Sequence, residues 1–288
     1  MRKASALLRF VALGIAAGVL MSGCGQAPQP GASSTGSDAP AAYGRAPAAA
    51  PGVPVAAQAV RQNQLTPGQT PGELSPGSIY RNPDNGRDEV IVADIRHTAL
   101  LIGDSQSEPD GSWPRAALSA IGYDVYFCGK GGTGFVAANG GIGNYIDALQ
   151  RGDWLLPYGA PPLLVIQGGG NDASRGAGND EIAANAKRLI TSLKQRYPGA
   201  KLVMIGTLAR GAQDGGGRRT EVDALLGIVA RQHGIPFVSV GDWLTRFGLT
   251  SELRDGVHLK ADGHKALARL LETRLAALGV SYSEQGSK

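Results

Sequence analysis

Between residues 79 and 282, short runs of apolar and β-branched side chains alternate with stretches whose apolar residues recur at helical spacing. The runs are Thr98–Ile102, Asp124–Cys128, Leu163–Gln167, Lys201–Ile205 and Phe237–Val240, with Glu89–Ile95 as an additional candidate strand. Such runs are apolar on both faces, so both faces need cover. The stretches between them supply it. Ile182, Ala186, Leu189, Ile190 and Leu193 share one helical face. Val222, Leu225, Leu226 and Val229 share another, after a Thr220-x-x-Asp223 capping pattern. Leu267, Leu270, Leu271, Leu275 and Leu278 form the last stripe. The alternation predicts a parallel sheet with helices on both sides. In such a sheet, the loops after the strands' carboxyl ends carry the site.

The chain before residue 79 has a different texture. Arg2, Lys3 and Arg9 precede an apolar run from Phe10 to Met21. That run is shorter than the ~20 residues of a spanning helix. Residues 1–23 therefore read as a secretory leader. The segment Leu20-Met21-Ser22-Gly23-Cys24 resembles the lipobox of bacterial lipoproteins, with Met21 where Leu is usual. The resemblance implies cleavage before Cys24, lipidation of Cys24, and an extracytoplasmic protein anchored to a membrane without spanning it. Residues 25–78 hold nine of the 17 prolines and only four charged side chains, Asp38, Arg45, Arg61 and Glu73. No apolar period runs through them, so residues 24–78 are expected to be a flexible linker. About 50 such residues reach about 40 Å r.m.s.. The folded domain is then expected over residues 79–288.

Charge and cysteine content remove several function classes. The formal charge of +4 belongs largely to the leader. Without it, 25 basic residues face 24 acidic ones, which gives no support to a nucleic-acid partner. Two cysteines, Cys24 and Cys128, exclude a disulfide scaffold and a multi-cysteine metal site. Cys128 ends an apolar strand and reads as a buried thiol. No HExxH or other ligand cluster is present, so neither a metal nor a cofactor is expected. Nothing in the sequence indicates an oligomeric state.

Three of the expected strands end in polar or glycine-rich sequence. The first gives Ile102-Gly103-Asp104-Ser105, the second Gly129-Lys130-Gly131-Gly132-Thr133-Gly134, and the third Gly168-Gly169-Gly170-Asn171-Asp172. Asp255-Gly256-Val257-His258 stands just before the last helix. The glycine-rich stretch lacks the GxxxxGK[ST] spacing of a phosphate loop and the GxGxxG spacing of a dinucleotide site. Ser107 stands where a G-x-S-x-G elbow around Ser105 needs its second glycine, which argues against an α/β-hydrolase.

In their order along the chain, the four blocks resemble those of the SGNH (GDSL-type) hydrolase family. The resemblance runs from Thr98 to Leu278 and rests on Gly103-Asp104-Ser105, Gly132, Gly169-Gly170-Asn171-Asp172 and Asp255-x-x-His258. It implies a flavodoxin-like three-layer α/β/α sandwich with a central parallel sheet. Two departures stand out. Gln106 replaces the leucine common after the nucleophile, and Cys128-Gly129 stand where the second block often has an asparagine.

The resemblance implies Ser105 as nucleophile, His258 as general base and Asp255 as the carboxylate that fixes the imidazole tautomer. A serine hydroxyl needs such a base at neutral pH, and a spacing of three residues lets Asp255 reach the far ring nitrogen. The backbone N–H groups of Ser105 and Gly132 and the Asn171 amide are the expected oxyanion donors. Gly131 competes with Gly132 for that role. Asp104 and Asp172 are expected to brace loops through backbone hydrogen bonds. His264 is read as a capping or packing residue, and His97 and His233 as solvated. Trp113, Trp154 and Trp243 are open between core and pocket wall. The loop Thr207–Arg219 is read as solvated, with Arg210, Arg218 and Arg219 as candidates for meeting an anionic substrate.

Together with the anchor, the resemblance implies a serine esterase that removes short, acetyl-type acyl groups from envelope glycans or small molecules. Its alternatives are a lipase, lysophospholipase or thioesterase acting on envelope lipids, an acyltransferase or deacetylase acting on envelope glycans, and a binding module that keeps the fold without catalysis.

Overall fold

The computed structural model describes Leu65 and residues 69–283. The expected leader, Cys24 and most of the expected linker lie outside the described residues. In chain order the elements are β1 (Ile79–Asn82), β2 (Arg87–Val90), β3 (Thr98–Gly103), α1 (Trp113–Ala120), β4 (Asp124–Gly129) and α2 (Tyr145–Arg151). Then come β5 (Leu156–Pro157), β6 (Leu163–Gln167), α3 (Gly170–Ser174), α4 (Asn179–Arg196), β7 (Lys201–Ile205) and α5 (Gly217–Gln232). β8 (Phe237–Val238), α6 (Trp243–Arg246) and α7 (Ala261–Ala277) complete the fold. Among the described residues, no helix is long and apolar enough to cross a membrane.

Five strands form the main sheet in the order β4-β3-β6-β7-β8, all parallel. This is the doubly wound arrangement that the sequence pattern predicts. The register aligns Leu100 with Leu164 and Leu164 with Leu202, and Ile102 with Ile166 and Ile166 with Met204. These side chains share a core with Ile182, Ala186, Leu189, Ile190 and Leu193 of α4 and with Val222, Leu226 and Val229 of α5. Period-two geometry sends the intervening residues to the opposite face. There Leu101, Val165 and Val203 pack with Trp113 and Leu118 of α1 and Leu267, Leu271 and Leu275 of α7. Two cores, one on each face, make the molecule a three-layer α/β/α sandwich.

The structure corrects several element boundaries. The strand expected at Glu89–Ile95 is β2, over Arg87–Val90, and it lies outside the main sheet. It pairs antiparallel with β1 and parallel with β5. Polar contacts hold this small sheet, so no apolar period announces it. Glu89, 3% exposed, accepts from Asn82 Nδ2 at 2.8 Å and Asn85 Nδ2 at 3.1 Å, and pairs with Arg196 from α4. Order also begins before residue 79, with a 3₁₀ turn over Pro71–Glu73 and a buried Leu74. β8 stops at Val238, although Val240 remains buried. Thr220 caps nothing, because α5 begins at Gly217, and its hydroxyl donates to the Gly241 carbonyl at 3.0 Å. Leu278 is 40% exposed past the end of α7, off the buried stripe.

Candidate active site

All four sequence blocks meet at one edge of the main sheet. β3 delivers Asp104 and Ser105, β4 leads into the glycine-rich loop, β6 leads into Asn171 and Asp172, and the loop before α7 delivers Asp255 and His258. Ser105 Oγ lies 3.0 Å from His258 Nε2, and His258 Nδ1 lies 2.9 Å from Asp255 Oδ2. These contacts fit an imidazole with its proton on Nδ1 and a free lone pair facing the hydroxyl. The second oxygen of Asp255 accepts from the backbone N–H of His258 at 2.8 Å and of Val257 at 3.1 Å. The N–H of His258, then its ring, then the N–H of Val257 hold the Asp255 carboxyl well below the usual carboxylate range.

Ser105, Gly131, Gly132, Asn171 and His258 line one cleft of about 380 Å³. The two glycines are not equivalent. The Gly131 N–H donates to Glu108 Oε2 at 2.9 Å, whereas the Gly132 N–H meets no acceptor among the described residues. Gly132 sits at φ +81°, and a Cβ there would lie 2.8 Å from the Asn139 side chain. That conformation requires glycine. The Asn171 amide donates to the Thr133 carbonyl at 2.9 Å and reaches Asp104 Oδ2 only at 3.4 Å. Its orientation is fixed by the first contact and its other hydrogen is weakly held.

The two acids act on backbone as expected. Asp172, fully buried, accepts from the N–H groups of Phe135 at 2.9 Å and of Val136 and Ala137 at 2.8 Å. Asp104 is 2% exposed and accepts from the Gln106 N–H at 2.9 Å. Burial pushes its carboxyl up to about 6.

The other candidates separate cleanly. Trp113, Trp154 and Trp243 are all core residues, away from the cleft. Cys128 is a buried free thiol whose pKa is raised by burial. His264 of α7 accepts the backbone N–H of Trp113 at 3.2 Å, so it caps α1 rather than its own helix. His97 is half-buried and stacks on Tyr282 with centroids 4.1 Å apart, which corrects the solvated reading. The Thr207–Arg219 segment is not a solvated loop throughout. Leu208 and Ala209 are buried, and Arg218 and Arg219 lie in the first turn of α5. Arg218 donates to the Ala177 carbonyl and pairs with Glu221. Arg219 lines the Ser105 cleft. Among the described residues, no group of three or more His, Cys, Asp or Glu side chains is placed to hold a metal.

Gln106 was visible in the sequence only as a departure from the family pattern. Its amide donates to the Val257 carbonyl at 2.9 Å, and its carbonyl oxygen accepts from the Trp113 indole N–H at 3.3 Å. The side chain is 3% exposed. It therefore ties the residue after Ser105 to the residue before His258. A leucine in its place would leave both partners without a hydrogen bond.

A family model described as GDSL-like Lipase/Acylhydrolase family matches residues 91–266. A comparison with curated proteins finds no match. Among solved structures, a family two carbohydrate esterase from Cellvibrio japonicus is 17% identical over 67% of this chain and 64% of that one, with a TM-score of 0.51. An active-site mutant of a family two carbohydrate esterase from Clostridium thermocellum is 18% identical over 67% of this chain and 68% of that one, with a TM-score of 0.48. A carbohydrate acetylesterase from Sinorhizobium meliloti is 20% identical over 63% of this chain and 99% of that one, with a TM-score of 0.46. At 17% identity the likeness to the Cellvibrio japonicus esterase is one of fold.

Two measurements check the supports of the site. Gln106→Leu should lower the unfolding free energy by about 1–3 kcal/mol, and should slow fluorophosphonate labelling of Ser105 by about 10–100-fold through displacement of His258. Labelling at the wild-type rate would remove Gln106 from the positioning of His258. Asp104→Asn tests the buried carboxyl. A folded-state pKa raised from 3.8 to about 6 means that native Asp104 binds its proton more tightly than the unfolded chain does. The stability it contributes is present below about pH 4 and is lost as pH rises towards 6 and beyond. In denaturant titrations, the stability of Asp104→Asn relative to wild type should therefore rise by about 3 kcal/mol between pH 3.5 and 7. A pH-independent difference would contradict the shift.

Proposed function

The chain belongs to the GDSL-like lipase/acylhydrolase family, and from that premise we propose that it is an extracytoplasmic serine esterase removing short, acetyl-type acyl groups through an acyl-enzyme. The observation that carries the reading is the unbroken contact chain from Ser105 Oγ to His258 at 3.0 Å and from His258 to Asp255 at 2.9 Å.

The reaction follows from those contacts. Ser105 Oγ attacks the ester carbonyl as His258 Nε2 takes its proton. Asp255 stabilises the imidazolium and keeps the ring in place. The tetrahedral oxyanion is met by the Ser105 and Gly132 N–H groups and the Asn171 amide, donors whose positions are set before substrate arrives. Collapse breaks the bond to the alcohol, which leaves with the proton from His258. Water then attacks acyl-Ser105 with His258 as base, the acid departs, and Ser105 Oγ recovers its proton.

The cleft supports a short acyl group. A long chain needs a continuous apolar trench to offset its exposure to water. Here the walls are Asp104, Gln106, Asn171, Ser174, Arg219 and glycine backbone, with Val257 as the single aliphatic side chain. The same reading has the mature protein anchored through a lipid on Cys24, with residues 25–78 as tether; the support is the sequence Leu20–Cys24 alone.

The test uses p-nitrophenyl esters from acetate to palmitate and the protein beginning after Cys24. Hydrolysis should peak at the shortest chains, and Ser105→Ala should lower kcat by about 10⁴-fold or more. A peak at long chains would replace the reading with lipid hydrolysis. Folded protein without hydrolysis on any ester would leave acyl transfer to a specific acceptor or binding. The anchor is tested separately. The full chain should enter the detergent phase in a phase-partitioning extraction, and Cys24→Ser should move it to the aqueous phase. Equal partitioning of the two would end the lipoprotein assignment.

A further inference from the structure

Arg219 lies in the first turn of α5, and its guanidinium reaches the floor of the Ser105 cleft. A Cβ built on Gly170 would sit 2.6 Å from Arg219 Nη2 and 3.3 Å from Nη1. The head group thus packs on bare backbone beside Asn171, one of the oxyanion donors. A side chain at position 170 would displace it from there. Arg219 Nε donates to the Leu208 carbonyl at 3.2 Å, which holds the stem. The two terminal nitrogens have no acceptor among the described residues. The neighbouring arginines differ. Arg175 spends its fork on the Ala138 and Gly132 carbonyls, and Arg218 on Ala177 and Glu221.

Asp104 is the single acid lining the cleft. Its charge is felt at Arg219 and partly offsets the burial of the guanidinium, but its oxygens make no hydrogen bond to the fork. Its oxygens face the Gln106 N–H and the Asn171 amide. Asp255, just beyond the rim, spends both oxygens on His258 and Val257. A second cavity of about 190 Å³ continues past Arg219 and Val257, bordered by Leu208, Ala209, Leu244 and the exposed Arg210. It contains no acidic side chain.

We propose that Arg219 is a specificity residue that selects esters carrying a carboxylate near the scissile carbonyl, bound by its free guanidinium fork in the trough between Ser105 and Arg210. An arginine fork matches the two oxygens of a carboxylate. In a cleft of limited solvent access that attraction is screened less than at an open surface. The inference rests on the esterase reading and narrows its substrate class.

The experiment compares charged and neutral esters as a ratio of kcat/KM. One pair places the charge on the acyl side, p-nitrophenyl hemisuccinate against p-nitrophenyl butyrate. The other places it on the alcohol side, an acetylated methyl glucuronoside against the acetylated methyl glucoside. In at least one pair, Arg219→Gln should lower the charged-to-neutral ratio by about 10–100-fold, mainly through KM. Arg219→Lys should retain part of it, Arg218→Ala should leave it at the wild-type value, and added salt should shrink it wherever a cation remains at position 219 but not in Arg219→Gln. The responding pair identifies the side that carries the charge. An unchanged ratio in Arg219→Gln for both pairs would overturn the proposal. Calorimetric titration of succinate into the Ser105→Ala protein supplies a readout that needs no turnover. Binding there that is lost in Ser105→Ala/Arg219→Gln supports the site, and absence of binding counts against it. Failure of wild type to cleave any ester, charged or neutral, would instead strike the esterase reading.

Discussion

The Asp172 carboxylate is enclosed in the protein and accepts three consecutive backbone N–H groups, those of Phe135, Val136 and Ala137. Those donors belong to the end of a loop rich in glycine, which has few side chains of its own to pack. A buried charge without partners would cost several kcal/mol, so the acid and the loop hold each other. The consequence spreads from there. The loop carries Gly132 and the Thr133 carbonyl, and that carbonyl orients the Asn171 amide. Asn171 adjoins Asp172 in sequence, so the acid that fixes the Gly132 loop also sits beside the Asn171 amide, and the two proposed oxyanion donors share one support.

The same device recurs along the carboxyl edge of the sheet. Asp223 on α5 accepts from Thr207 N at 3.0 Å, Val240 N at 3.2 Å and Ser239 Oγ at 2.5 Å. It draws the ends of β7 and β8 to the helix, and burial raises its pKa. Asp104 does the same work within the nucleophile turn. Parallel strands leave their last peptide groups without ladder partners, and helices cannot satisfy them all. Short carboxylates at fixed points complete the count. The functional loops are thereby rigid although the sequence around them is mostly glycine.

This division explains what the sequence disclosed. The main sheet was readable because β3, β6 and β7 are apolar on both faces, and the α4 stripe from Ile182 to Leu193 is buried along its length. The four blocks were readable because three follow strands that announce themselves and the fourth directly precedes the α7 stripe. Of the small sheet only β2 was anticipated, with its bounds shifted, and β1 and β5 were not, since Arg87, Asp88 and Glu89 look like solvent-facing residues until Asn82, Asn85 and Arg196 close around Glu89. The Thr220-x-x-Asp223 pattern misled for a related reason. Asp223 serves the sheet edge, so α5 starts a turn earlier and carries Arg219 out of the expected loop and into the cleft. Contacts across long sequence separation leave no local trace, and Gln106 to Val257 spans 151 residues.

Those long contacts converge on Ser105. The residue after it, Gln106, reaches the loop of His258, and Glu108 reaches the Gly131 N–H of the oxyanion loop. The two braces are unequal. Gln106 is buried and bonded on both sides of its amide, whereas Glu108 is exposed and competes with water for a single N–H. A catalytic constellation tolerates errors of only about 0.5 Å. His258 is therefore held more firmly to Ser105 than the Gly131–Gly132 loop is, and that loop depends on Asp172 from below. By engaging the Gly131 N–H, Glu108 occupies one of the two candidate glycine donors. The neighbouring Gly132 N–H meets no acceptor among the described residues, and on that observation rests its place in the proposed oxyanion site.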